Sequence, residues 1–306
     1  MKRSTLLVLL SYLTIYIVWG STYFFIKMAV ETIPPFYVIA LRWLIGGILF
    51  LLFAIVSGRL RQFPTLRQVG ASVFLGFTLL VAGNGLITFA EQRVDSYLVA
   101  LILASTPILV AFYDWILIKK RIAPMALIGI MIGLVGVGLL LYDGRSLGTS
   151  FSPSIWMVIG GLAFWSLGTS LGHKLKVHPD IIVNSAVQMT LVGATILTGL
   201  YLCGQSLTVD VSTVTASSSF GLWYLAIVGS LAFIAYNYLI AHEPAIRIVS
   251  YAFVNPLIAV VLGLMVGNEK PVPYLAAGLP LILSGLFLML YGETLAGTIK
   301  KLCRIS

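Results

Sequence analysis

Charged residues are scarce in this chain. Asp, Glu, Lys and Arg make up 9% of its 306 residues, whereas apolar types make up 59%. A soluble globular protein carries about 25% charged residues, so this chain has too few polar groups to cover a surface in water. The composition excludes a soluble enzyme, a nucleic-acid-binding protein and a disordered chain. The net charge of +9 is instead typical of basic loops on the cytoplasmic side of a membrane.

Cysteine and histidine are also scarce, and their spacing indicates no metal site. Cys203 and Cys303 stand far apart, and His173, His178 and His242 fall in loops without metal-site grouping. The phosphate-binding pattern GxxxxGKS is missing, so the chain alone is not an ATP-driven pump. We therefore predict no cofactor, no metal and no catalytic residue. No cleavage site precedes a soluble domain, so we expect the first apolar segment to be retained.

Long apolar runs make up most of the sequence. A membrane-spanning helix needs about 20 such residues, and ten runs of roughly this length are present. They lie at residues 5–26, 35–56, 68–90, 96–117, 123–142, 154–173, 180–202, 219–241, 245–267 and 272–291. Ten spans leave no room for a soluble catalytic domain. The sequence therefore predicts an all-α integral membrane protein with ten transmembrane helices.

The few basic residues are distributed unevenly between the loops. If the N-terminus is cytoplasmic, 14 of the 19 Lys and Arg residues lie in inner loops and tails, four lie on the outer side, and Arg42 lies within a span. Cytoplasmic loops carry such an excess. We predict a multi-pass protein of the cell inner membrane with both termini in the cytoplasm, which places Cys203 outside and Cys303 inside.

The two halves of the chain resemble each other weakly but in the same order. Trp19 with the residues after it resembles Trp165 onward, and residues 103–117 resemble residues 252–266, so that Pro107 matches Pro256. A repeat with an odd number of helices places its second copy upside down in the membrane. We predict two inverted five-helix repeats, residues 1–146 and 147–306, the second ending in a short basic tail.

Several motifs resemble a known family. WGSTYFFIK at 19–27 with ALRW at 40–43, FAEQRVDSYLVALILASTPI at 89–108 and IGIMIGLVGVGLLL at 128–141 resemble the drug/metabolite transporter superfamily, in its EamA-type branch of ten-helix transporters. The resemblance covers essentially the whole chain and implies the movement of small metabolites, often outward. One departure is Ile118–Arg121, where the family often has a Gly-Glu-Arg-like turn; the second half keeps Gly267-Asn268-Glu269.

Polar and aromatic residues deep in the predicted spans are candidates for substrate binding. Buried polar groups in a membrane face protein or water, which favours a central cavity; the alternative for the amides and hydroxyls is hydrogen bonding between or within helices. For the aromatic rings the alternative is packing. The candidates are Trp19, Asn84, Ser105, Thr106, Trp165, Asn237, Tyr251 and Asn255.

Other residues are candidates for gating or coupling. Pro107 and Pro256 each remove a backbone donor within a span and should kink it. Arg42 could bind a substrate carboxylate or an interior carboxylate such as Glu91, or it could extend towards the interface beside Trp43.

Three charged residues near the ends of spans complete the set, with Glu91 among the coupling candidates. Glu91 and Asp114 could bind protons, although Asp114 is more simply a partner of Lys119 or Lys120. Lys27 could line an outer vestibule. Glycines such as Gly129, Gly133 and Gly285 indicate close helix packing.

These features predict a secondary transporter that works by alternating access. The expected substrate is a small amphipathic metabolite, such as an amino acid or a related compound, which is exported. A carrier of phosphorylated metabolites or nucleotide sugars is the first alternative, but such substrates should need several buried cations. An intramembrane lipid-modifying enzyme is the second. The expected partners are the small-molecule substrate and the lipid bilayer, with no nucleic acid, and the protein is a monomer or a homodimer.

Overall fold

The computed structural model describes residues 3–119, 124–141, 152–172, 174–206, 210–271 and 273–302. Several sequence-based predictions concern residues outside these ranges. These are the repeat boundary at 146/147, His173 and Cys303, and, from the count of basic residues in loops and tails, Lys2, Lys120, Arg121, Arg145 and Arg304. Cys203 is exposed and not in a disulfide.

The described residues form helices and no strands. Seven helices are long and apolar enough to cross a membrane, and three others contain shorter apolar stretches of 10–17 residues, which confirms the all-α membrane prediction. We number them α1 (Thr5–Val30), α2 (Pro35–Val56), α3 (Leu66–Ala90), α4 (Ser96–Leu117), α5 (Pro124–Leu141), α6 (Pro153–Gly172), α7 (Ile181–Leu202), α8 (Ala216–His242), α9 (Val249–Met265) and α10 (Leu275–Leu302).

Local sequence explains where several helices begin. Thr65 and Gln68 form a reciprocal cap at the start of α3. The backbone N–H of Gln68 donates to the Thr65 hydroxyl over 3.4 Å, and the backbone N–H of Thr65 donates to Oε1 of Gln68 over 2.9 Å. The Asp180 carboxylate accepts the backbone N–H of Ile182 at 2.9 Å at the start of α7. Such side chains supply acceptors that the first turn of a helix lacks.

Two pairs of helices pack very closely, α2 with α7 and α5 with α10. A Cβ atom at Gly47 would stand 2.5 Å from the backbone nitrogen of Thr190, and one at Gly193 would stand 2.6 Å from that of Leu44. A Cβ at Gly129 would stand 2.4 Å from the carbonyl oxygen of Gly285. Glycine therefore sets these interhelical distances, as small residues do in membrane proteins.

The other six helices, α1, α3, α4, α6, α8 and α9, pack against one another in the interior. Two of them are interrupted. α4 is interrupted between a first piece, Ser96–Leu103, and a second piece that begins at Thr106. α9 consists of a 3₁₀ turn, Val249–Phe253, followed by Asn255–Met265. Pro107 and Pro256 stand in the first turn of the later pieces, where their missing N–H groups cost no helical hydrogen bond.

Three interior helices contain wider, π-helical turns. These turns cover Ile15–Trp19 in α1, Gly76–Asn84 in α3 and Leu225–Gly229 in α8. A π turn holds an extra residue, so it rotates the side chains that follow it relative to a regular α-helix. Each of the turns in α1 and α3 ends at a residue that lines the cavity described next.

Candidate functional site

A cavity of about 40 Å³ lies among α1, α2, α3, α4, α6 and α9. Five of its lining residues are aromatic, five are aliphatic or hydroxyl-bearing, and the other two are an amide and a guanidinium. The lining residues are Trp19, Thr22, Tyr23, Ile26, Arg42, Trp43, Asn84, Ile87, Leu103, Thr106, Trp165 and Tyr251. Small-molecule sites are commonly mostly apolar with a few placed polar groups, and this cavity has that character.

An aromatic cluster forms one wall of the cavity. The Trp19 ring lies edge-on to Trp165, with 5.2 Å between centroids, and edge-on to Tyr251 at 5.3 Å; Tyr236 lies 4.7 Å from it on a further side. The Trp165 indole nitrogen donates to the Tyr251 hydroxyl over 3.1 Å. Edge-to-face contacts of this kind stabilise a fixed arrangement, so the wall is held by ring contacts and by one polar bond.

Arg42 forms the cationic part of the cavity lining. Its side chain is 2% exposed, its Nη1 donates to Oδ1 of Asn84 over 3.1 Å, and its guanidinium carbon lies 4.3 Å from the Trp43 ring centroid. Gly229 of α8 leaves room for it, because a Cβ there would stand 3.3 Å from Nη2. The residue points into the protein, so the alternative in which it extends to the interface is wrong.

The Arg42 guanidinium is only partly paired. Among the described residues it has no carboxylate within 4 Å, Glu91 included, and its Nε has no hydrogen-bond partner. A buried cation with free donors next to a cavity is costly unless something completes its pairing. Because a guanidinium presents several N–H groups in a planar fork, this one can still donate to a carboxylate in the cavity.

Six of the residues that the sequence singled out meet at this cavity: Trp19, Arg42, Asn84, Thr106, Trp165 and Tyr251. The Thr106 hydroxyl also donates a hydrogen bond to the carbonyl oxygen of Leu103, over 2.5 Å. Thr106 therefore lines the cavity and also makes the hydrogen bond within its own helix that was the alternative interpretation.

The structure does not bring Asn237, Ser105 or Asn255 to the cavity lining. Asn237 donates to Ser185 over 2.9 Å and to Gln188 over 3.3 Å, so it links α8 to α7. Ser105 lines a narrow cleft towards α5 and α10. These positions correct the expectation of one central group, because depth along a helix does not determine which way a side chain faces.

Asn255 joins two helices near the aromatic wall. With its amide nitrogen turned towards them, it donates to the carbonyl oxygens of Tyr16, at 3.1 Å, and of Tyr251, at 3.3 Å. Tyr251 is thus held both through its backbone by Asn255 and through its hydroxyl by Trp165. Pro107 and Pro256 are buried beside the interruptions of α4 and α9 rather than on the cavity lining.

The sequence reasoning missed six lining residues: Thr22, Tyr23, Ile26, Trp43, Ile87 and Leu103. Helical spacing could have found most of them. Residues three, four and seven positions after Trp19 share its face, which gives Thr22, Tyr23 and Ile26, and Ile87 follows Asn84 by three. Trp43 has no such signal, because it adjoins Arg42 in the sequence.

Charged residues at one end of the bundle serve connections between helices. Glu269 accepts the backbone N–H of Ser96 at 3.0 Å and so caps α4 across 173 positions of sequence. Lys27 donates to the carbonyl of Val94 over 3.0 Å and lies 3.4 Å from Asp95. Glu269, the acidic residue of the Gly267-Asn268-Glu269 turn in the second half, therefore has a structural role.

Asp114 was expected to pair with Lys119 or Lys120 at the interface. It is buried instead and accepts a hydrogen bond from Ser170 of α6, and among the described residues it has no ion pair with Lys119. Within the described ranges, no three His, Cys, Asp or Glu side chains group closely enough to hold a metal ion.

The sequence profile of the EamA-like transporter family matches residues 6–142 and 152–291. The chain belongs to this family. The uncharacterized inner membrane transporter YedA of Escherichia coli K12 is 34% identical to it over 269 residues, which are 86% of this chain and 85% of YedA. The uncharacterized transporter YvbV of Bacillus subtilis is 27% identical over 277 residues, 89% of this chain and 88% of YvbV.

A solved crystal structure also shares the fold of this EamA-family chain. It superposes with a TM-score of 0.66 at 18% identity, over 92% of this chain and 95% of the other. Profile, relatives and helices together establish a multi-pass membrane protein of a transporter family, as the sequence motifs predicted.

Proposed function

We propose that this EamA-family transporter exports small amphipathic metabolites that carry a carboxylate, amino acids or related compounds among them. The observation that carries the proposal is the partly paired, buried guanidinium of Arg42 on the lining of the cavity that the aromatic wall also lines. Arg42 and Asn84 bind the carboxylate, and Trp19, Trp165 and Tyr251 contact the apolar side chain. Charge-assisted hydrogen bonds in such a site are stronger than neutral ones.

The proposed mechanism is alternating access between two inverted five-helix repeats, residues 1–146 and 147–306, with both termini in the cytoplasm. Its support is the recurrence of features across the halves. Pro107 and Pro256 stand in the first turn of the later pieces of α4 and α9, and Gly47 and Gly193 lie at the same α2–α7 contact. The interruptions in α4 and α9 serve as hinges, because a helix is most easily bent where its hydrogen bonds are already missing.

The alternatives fit the cavity less well. A phosphorylated metabolite or nucleotide sugar carries two or more negative charges, and Arg42 is the single cation on the lining of the cavity within the described residues. An intramembrane enzyme that modifies lipids would need grouped acid, base or metal-binding side chains; in the described ranges such a group of three is missing. Transport without catalysis is therefore the proposal that we favour.

The direct test is a flux screen with purified protein in liposomes. Radiolabelled leucine, phenylalanine, a nucleoside, a sugar and a hydrophobic amine are offered with and without a proton gradient. We expect flux of the amino acids well above that of protein-free liposomes and of the amine. Flux of the nucleoside or sugar, with none of either amino acid, would overturn the proposed substrate class. The Asn84→Leu variant should lose the flux that the wild type shows.

A further inference from the structure

Glu91 is the most unusual charged residue next to the cavity. It is 0% exposed, and neither of its carboxylate oxygens has a hydrogen-bond partner among the described residues. It follows the last residue of α3, and its backbone N–H still donates to the carbonyl of Ile87, over 3.0 Å. Helical spacing therefore places Glu91 on the face that carries Asn84 and Ile87, one turn beyond the cavity lining.

The cations near Glu91 are held by other groups. Lys27 is bound to Val94 and Asp95, and Arg42 to Asn84. The titratable and charged side chains that act on Glu91 or lie beside it are Tyr23, Lys27, Arg42, Asp95 and Glu269. Lys27 and Arg42 attract a negative charge there without bonding to it, and Glu269 repels one. An ionised carboxylate that lacks water, donors and a dedicated counter-charge is costly within a membrane protein.

Two species can neutralise such a carboxylate, a proton on the group itself or the cationic group of a ligand. We propose that Glu91 holds a proton when the cavity is empty and the ammonium group of the substrate when the cavity is loaded. This inference rests on the proposed function and narrows its substrate class. Arg42 then binds the carboxylate of an amino acid, and Glu91 binds its ammonium group.

The exchange at Glu91 is balanced. The substrate arrives with its ammonium group already protonated, the O–H bond of the Glu91 carboxyl breaks, and one proton leaves the site as the ammonium–carboxylate contact forms. Return of the empty carrier restores the proton. Since the substrate and the proton compete for one carboxylate, they move in opposite directions, and an inward proton gradient drives export.

The competition between substrate and proton at Glu91 also predicts how strongly leucine and two of its analogues bind. Leucine offers both charged groups, 4-methylpentanoate offers only the carboxylate, and 3-methylbutylamine offers only the ammonium group. The carboxylic acid can bind at Arg42 without displacing the proton from Glu91. The amine can displace the proton but leaves Arg42 partly paired. Leucine should bind more tightly than either analogue and release a proton, whereas 4-methylpentanoate should bind without releasing one.

The test uses the purified full-length protein in weakly buffered detergent solution. Leucine or phenylalanine is added, its dissociation constant is read from tryptophan fluorescence, and proton release is read from a pH indicator dye. We expect about one proton released per bound amino acid in the wild type, and affinity that rises about tenfold or more between about pH 6 and about pH 8. Glu91→Gln should release no proton on binding, and its affinity should no longer depend on pH. Glu91→Asp keeps a carboxylate and should still release a proton. Glu31→Gln changes an exposed carboxylate and should behave as the wild type.

The outcomes separate two failures. If neither amino acid binds to the wild type, the proposed function fails and the inference fails with it. If they bind but release no proton, or if Glu91→Gln releases as many protons as the wild type, the inference alone is overturned. Thermal unfolding of each variant shows whether it is folded, and Glu91→Asp keeps the test valid if Glu91→Gln is not.

Discussion

The guanidinium of Arg42 donates to Oδ1 of Asn84 over 3.1 Å, across the gap between α2 and α3. The bond joins a buried cation to a neutral amide, so it orients the guanidinium without neutralising it. A carboxylate in the cavity can therefore still bind Arg42.

Replacing Asn84 with aspartate supplies the missing negative charge from the protein itself. We expect Asn84→Asp to form an ion pair with Arg42, to keep or raise the unfolding temperature in detergent and to abolish most leucine flux. Both quantities are measured on the same purified sample. A variant that transports leucine as fast as the wild type would mean that Arg42 does not bind the substrate carboxylate.

The hydrogen bond from Trp165 to Tyr251 should contribute to substrate affinity by fixing the aromatic wall. Trp165→Phe and Tyr251→Phe each remove it while keeping a ring. We expect either change to weaken leucine binding about two- to tenfold, since a net hydrogen bond contributes roughly 0.5–1.5 kcal/mol. The double variant should be no weaker than the worse single variant.

A matched control for these ring changes is Trp223→Phe, at a tryptophan that is 51% exposed. It should leave leucine affinity unchanged. Fully additive losses in the Trp165 and Tyr251 variants would show that the two side chains act independently and that the hydrogen bond is unimportant.

Two glycines of α5 provide a direct comparison of packing. A Cβ at Gly129 would stand 2.4 Å from the carbonyl oxygen of Gly285, whereas a Cβ at Gly138 would meet no atom within 4 Å. Gly129→Ala should therefore lower the unfolding free energy by about 1–3 kcal/mol through overpacking. Gly138→Ala should be neutral or slightly stabilising, because alanine favours helix. The two variants are compared by thermal unfolding in the same detergent. Equal changes in stability would contradict the close α5–α10 contact.

The predicted orientation is open to a labelling experiment. Cys203 is exposed at the end of α7, and the basic-residue distribution predicts that this end faces outwards. In a Cys303→Ser variant, we expect a membrane-impermeant maleimide to label Cys203 in intact cells. Labelling that requires permeabilised cells would reverse the topology.

Sequence predicted the helices more fully than it predicted the site. Long apolar runs must form helices in a membrane because every backbone polar group needs a partner, so the ten segments follow from composition. The interruptions follow from Pro107 and Pro256 for a similar reason. Trp19 and Trp165 were matched across the halves, and the structure places their rings in contact.

The direction in which a side chain faces was harder to predict. Asn84 and Asn237 lie at comparable depth by sequence, but Asn84 lines the cavity and Asn237 bonds to Ser185 and Gln188. One π turn, Gly76–Asn84, ends at Asn84 and another, Leu225–Gly229, precedes Asn237. These turns rotate the helical face by an amount that apolar periodicity does not encode. Glu269 was missed as a cap because its partner is distant in sequence.

The central claim is that Arg42 binds a substrate carboxylate in the cavity. Its most direct test is counterflow of radiolabelled leucine into liposomes that hold purified wild type, Arg42→Gln or Arg59→Gln, the last replacing a half-exposed arginine that pairs with Asp180. A bond to a charged group contributes roughly 1.5–3 kcal/mol, so Arg42→Gln should lower the initial rate at subsaturating leucine about tenfold or more. Arg59→Gln should stay within about twofold of the wild type, as exposed ion pairs contribute little. Equal rates for wild type and Arg42→Gln would contradict the claim.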